Sequence, residues 1–77
     1  HLVINGKCNK DGYISIELLK ETGEILTGFG KTDGEVFQGN SIDHEYQWLN
    51  SNKQTLPNWV ILRIILKDSK LYTLKWV

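Results

Sequence analysis

The sequence predicts a small all-β domain, an antiparallel β-sandwich of jelly-roll type built from about six strands. Three observations predict it. Apolar side chains recur at every second position in several stretches, as in Ile14, Ile16 and Leu18, which is the period of a half-buried strand. Turn-forming residues separate these stretches at short intervals, among them Asp11-Gly12, Glu21-Thr22-Gly23 and Asp68-Ser69-Lys70, as hairpins require. No stretch sustains the three-and-four apolar spacing of a helix.

Taken in order, Leu2 to Asn5 is a short β-prone stretch that stops at Gly6, and Asn9-Lys10-Asp11-Gly12 then reads as a hairpin turn. Tyr13 to Leu18 follows as a strand with Ile14, Ile16 and Leu18 turned inward. Glu21-Thr22-Gly23 makes a second tight connection, from which Glu24 to Thr27 returns before Gly28-Phe29-Gly30 breaks the run. Lys31 to Asn40 is polar and glycine-bearing around Val36-Phe37, a loop with room for one short edge strand. His44, Tyr46 and Trp48 alternate with Glu45, Gln47 and Leu49, giving a strand with an aromatic face. Ser51 to Asn58 is turn-rich, and Pro57 cannot donate to a ladder, so the next strand opens at Trp59. Val60 to Leu66 is the most apolar stretch, the composition of a central strand covered on both faces, in which Arg63 needs an edge or a partner. Leu71 to Val77 closes the chain as the second arm of a hairpin.

A chain of 77 residues has room for one domain. Nine basic and nine acidic residues cancel, so no strong field gathers phosphate, and neither nucleic acid nor an anionic membrane is expected as a partner. The longest apolar stretch is interrupted by Arg63, too short to span a bilayer as a helix. The absence of methionine reads as the mark of a fragment of a longer chain, with residues 1–77 forming a single module trimmed at its N-terminus. Cys8 is the lone cysteine and cannot form an internal disulfide, and with His1 and His44 it has no zinc-site spacing.

Several segments, in order, resemble the C-terminal β-sandwich module of five-bladed β-propeller glycoside hydrolases, the clan of fructosidases and of arabinofuranosidase or xylosidase relatives. They are Leu2 to Asn5, Gly12 to Leu18, Gly23 to Phe29, Gly39-Asn40-Ser41, His44 to Trp48, Val60 to Leu66 and Leu71-Tyr72-Thr73. The chain departs from the pattern in carrying Asn40 for the usual aspartate and Thr73 for serine, and in lacking the strands that normally precede Leu2. The resemblance implies a non-catalytic accessory module that packs against the catalytic domain of its parent chain, with the hydrolytic carboxylates in the propeller, and no catalytic residue is carried over.

The residues read by themselves agree with a non-catalytic role. Glycoside hydrolysis needs two carboxyl groups about 5–9.5 Å apart in one cleft. Glu17, Glu24, Glu35, Asp43 and Glu45 give no sequence reason to converge, and read as solvated surface. Cys8 with His44 would make a nucleophile and base only if something lowered the thiol pKa, and nothing flanking Cys8 does. Asp33, Glu35, Asn40 and Asp43 offer oxygen ligands without the spacing of a calcium loop. No metal site and no cofactor are expected.

Carbohydrate binding is the alternative function. His44, Tyr46 and Trp48 are its candidate residues, an aromatic face to stack on a sugar ring of a polysaccharide, with Gln47, Asn50 and Asn52 as hydroxyl partners. The opposing reading makes Trp48, Trp59 and Trp76 fillers of a small core. An exposed sheet edge left by trimming would serve for homodimerisation or for packing on the parent domain, with Phe29, Phe37 and Leu56 as contributing loop residues.

Overall fold

A computed structural model describes residues 2–48 and 59–76. The expected loop over Ser51 to Asn58, and Leu56, Pro57, Asn50 and Asn52 with it, lie outside the described residues.

The fold is all-β, with three strands and no helix among the described residues: β1 (Leu2–Leu19), β2 (Asn40–Tyr46) and β3 (Ile61–Trp76). They form one antiparallel sheet in the order β2-β1-β3. This corrects the expectation of about six strands in two layers. The first two predicted strands are one continuous β1, and the last two are one continuous β3.

Backbone conformation accounts for the difference. Asp11 and Asp68 adopt positive φ, 65° and 45°, and the β1–β3 register shifts between Cys8 and Tyr13. Asp-Gly therefore makes a bulge that bends a strand and carries on along the same partner, where a hairpin would have reversed it. At this bend only glycine fits at position 12, because a Cβ there would lie 2.4 Å from the Asp68 carbonyl oxygen and 2.6 Å from that of Lys67. The bend folds β1 toward itself: a Cβ on Gly6 would lie 2.8 Å from Ile14 Cδ1.

The apolar side chains expected inside are buried, although Ser15 and Glu17, which alternate with them, are buried too, so burial itself does not follow a period of two over residues 14–19. Ile14, Ile16 and Leu18 are buried on one face of β1 together with Leu2 and Ile4. Phe29, Phe37, Tyr46 and Trp48 close over them, and Val60, Leu62, Leu71 and Leu74 pack at the side. Each fully buried aliphatic side chain contributes roughly 1.5–3 kcal/mol relative to exposure. The turn at Glu21-Thr22-Gly23 is also found, with Gly23 at φ 93° and its N–H on the Lys20 carbonyl at 2.8 Å. Its return arm is reduced to a single bridge, Leu19 with Ile25.

Two placements differ from expectation. Most of the apolar stretch Val60 to Leu66 lies in β3, which is an edge strand among the described residues, because the bent β1 occupies the centre and takes partners on both sides. Trp59 and Trp76 are accordingly exposed and are not core fillers. Phe29 and Phe37, assigned from sequence to an outward contact, are core.

Candidate functional site

Alternation along β2 sets the site. Register pairs His44 with Ile4 and Tyr46 with Leu2, and Trp48 follows after the strand, bridged to Gly34. All three side chains therefore turn toward the core face. Tyr46 is 2% exposed and Trp48 8%, and their rings meet edge to face at 4.9 Å, with Phe29 packed on Trp48 at 5.5 Å.

The polar ends of the two rings are used inside the fold. On the side of Ile16 away from β3 no strand supplies a ladder among the described residues, and the two side chains take its place. The Tyr46 hydroxyl accepts the Ile16 N–H at 3.0 Å, and Trp48 Nε1 donates to the Ile16 carbonyl at 3.0 Å. The same hydroxyl donates to the Glu35 carbonyl. Both main-chain groups of a buried residue are thus satisfied by side chains, as burial demands. Burial pushes the Tyr46 phenol above its ordinary pKa of 10.0, against the opposing effect of the Ile16 hydrogen bond. The Ser15 hydroxyl lies beside this phenol, fully buried and without a hydrogen bond of ordinary geometry.

His44 is half-buried at the rim. Its ring stacks on Phe37 at 4.6 Å, and its Nε2 lies 2.7 Å from Glu35 Oε1. Glu35 is the hub of this rim: its carboxylate also accepts the Gln47 N–H at 2.9 Å, and its own N–H donates to the Gln47 carbonyl. A carboxylate that orients a histidine is a common half of a catalytic constellation, but the adjoining groups here are themselves engaged in binding the 30–37 segment to β2.

The sequence-predicted residues are thus brought together, as one connected aromatic and hydrogen-bonded cluster, with the Tyr46 and Trp48 rings facing inward. The candidate oxygen ligands do not converge. Asp33 Oδ2 accepts the Gly30 N–H at 3.1 Å, Glu35 is committed to His44 and Gln47, and no group of three or more His, Cys, Asp or Glu side chains is placed to hold a metal among the described residues.

Sequence reasoning missed two features. Glu17, read as a solvated acid, is buried; Oε2 accepts the Lys31 N–H at 3.1 Å, and Oε1 lies 3.4 Å from Arg63. The signal was present in Arg63, a lone charge in an apolar stretch, which sits opposite Glu17 across the sheet. The second feature is the set of exposed large apolar residues on and just before β3, including Trp59, Ile64, Leu66, Tyr72 and Trp76. Reading β3 as a central strand hid them.

Compared with known proteins, the chain matches no family model, no curated protein and no solved structure.

Proposed function

We propose that this chain is a non-catalytic accessory module of a carbohydrate-active enzyme, a glycoside hydrolase, and that it packs against the catalytic domain of its parent. The enzyme class is supported by the sequence resemblance alone. The packing role is supported by one geometric observation, the apolar exposure along β3. Ile64, Leu66 and Trp76 are 37%, 47% and 44% exposed, and Trp59 is 77%. Several large apolar side chains exposed on and just before one strand fit a surface that another protein surface covers.

The coding sequence on either side of residues 1–77 tests the reading. A β-propeller carrying paired carboxylates is expected there, and a reading frame holding no catalytic domain would contradict it. The alternative, a lectin-like module, is favoured by the exposure of Trp59, Tyr72 and Trp76, since stacking on a sugar requires an open ring face. Titration with xylo-, arabino- and fructo-oligosaccharides separates the two. An accessory scaffold leaves tryptophan emission unchanged, whereas a sugar binder gives a saturable shift that Trp59→Ala or Trp76→Ala removes.

A further inference from the structure

The direction of the main chain along β3 can be read from its partner. In β1, the Ile14 and Leu18 N–H groups go to the Phe37 and Phe29 carbonyls at 2.9 and 3.0 Å, and Ile16 bonds to Tyr46 and Trp48. These three residues therefore direct their main-chain groups away from β3. In an antiparallel ladder, the residue opposite such a position is also turned outward. Leu66, Ile64 and Leu62 are those opposite residues, so their N–H and C=O groups face the outer edge, beyond which no strand lies among the described residues.

The two faces flanking this edge differ in chemistry. Side chains of Leu62, Ile64 and Leu66 share the core face with Leu18, Ile16 and Ile14, and Ile64 and Leu66 are incompletely covered. Arg63 and Lys67 alternate onto the reverse face, opposite Glu17 and Tyr13, with Ile61 and Ile65 on the same face opposite Leu19 and Ser15, and Lys70 and Lys75 stand opposite Lys7 and Val3. Four cations thus lie on β3 against one anion, Asp68.

We propose that the outer edge of β3 binds an extended segment in which apolar and acidic residues alternate, added to the sheet as a fourth strand. Its apolar side chains complete the cover of Ile64 and Leu66, and its carboxylates face Lys67 on the reverse side. Main-chain bonds to Leu62, Ile64 and Leu66 supply affinity, and the alternation supplies selectivity. Charge decides against a second copy as occupant: Arg63 is matched by Glu17 of β1, and pairing two β3 strands still brings Lys67, Lys70 and Lys75 from each copy into one ribbon with a single anion, Asp68, from each. This rests on the reading of the chain as a packing module and names the chemistry of the segment that the module receives. It does not depend on the reaction of the parent enzyme.

The test uses the isotope-labelled 77-residue chain and three synthetic peptides of about nine residues, the length of an ordinary strand. One alternates valine with glutamate, one alternates valine with lysine, and the third is the glutamate peptide N-methylated at every second residue. The expected result is that the glutamate peptide shifts the amide resonances of Leu62, Ile64 and Leu66, that the lysine peptide binds roughly tenfold more weakly or not at all, and that N-methylation abolishes binding. Lys67→Glu, at an exposed position, should weaken the glutamate peptide and strengthen the lysine peptide. Equal binding of the two charged peptides, shifts confined to other elements, or no binding of the glutamate peptide would overturn the proposal. So would concentration-dependent dimerisation through these amides in the absence of peptide, which would assign the edge to a second copy. None of these outcomes alters what lies in the coding sequence beyond residues 1–77, so failure here and failure of the accessory-module reading are separable.

Discussion

Tyr46 illustrates how one side chain substitutes for a strand. Its hydroxyl accepts from Ile16 and donates to Glu35, so Tyr46→Phe leaves a buried N–H and a carbonyl without partners while keeping the ring. The expected loss is about 1–3 kcal/mol in urea unfolding. The raised phenol pKa gives a pH signature. The folded state holds the proton more tightly than the unfolded chain, so this contribution is complete below the unfolded value of 10.0 and declines as pH rises above it. Ionisation also removes the donor to the Glu35 carbonyl. The stability difference between wild type and Tyr46→Phe should therefore shrink above about pH 10, as denaturant midpoints measured from neutral to alkaline pH would show. Glu17 makes a second residue-level prediction. Its Arg63 partner is half exposed and 3.4 Å away, which is worth at most about 1 kcal/mol. The Lys31 N–H bond is shorter, so Glu17→Gln, which retains an acceptor, should cost less than Glu17→Ala.

The bend in β1 and β3 is where sequence and structure part. Asp11-Gly12 and Asp68-Ser69-Lys70 carry the residues of a turn, and a turn and a bulge ask for the same positive φ. Which of them forms depends on whether the strand beyond continues along the same partner. That is a long-range fact: Tyr13 resumes pairing with Lys67 after Cys8 has paired with Ser69. Local alternation, by contrast, identifies the inward apolar set Ile14, Ile16 and Leu18, and local turn chemistry the turn at Gly23, whereas the cover over Ser15 and Glu17 and the strand count depend on distant segments. Gly12 and Gly23 separate the two kinds of glycine. Gly12→Ala forces a Cβ against two carbonyl oxygens and should cost about 1–3 kcal/mol or more. Gly23→Ala meets open space and incurs only the left-handed conformation, about 1–2 kcal/mol. Thermal unfolding of the two variants checks the order, and a more damaging Gly23→Ala would contradict the bend as described.

At the level of the whole molecule, the neutral net charge conceals a partition. β3 carries four cations and one anion, and β2 carries Asp43 and Glu45 with no lysine or arginine. Lysines along an exposed edge also discourage edge-to-edge association, so replacing both Lys67 and Lys75 with valine should raise concentration-dependent self-association in sedimentation. The candidate residues His44, Tyr46 and Trp48 were legible as a set because alternation puts them on one side. Whether that side faced solvent was not, since it depends on β1 lying beside β2 and on the 30–37 segment closing over the rings. The packing surface and the docking edge both follow from β1 being the central strand and β3 an edge among the described residues. Amide hydrogen exchange along β3 measures this directly. Arg63, Ile65 and Lys67 should be protected by their bonds to β1, while Leu62, Ile64 and Leu66 exchange quickly. Uniform protection of all six would make β3 a central strand, as its apolar composition suggested, and would contradict the account.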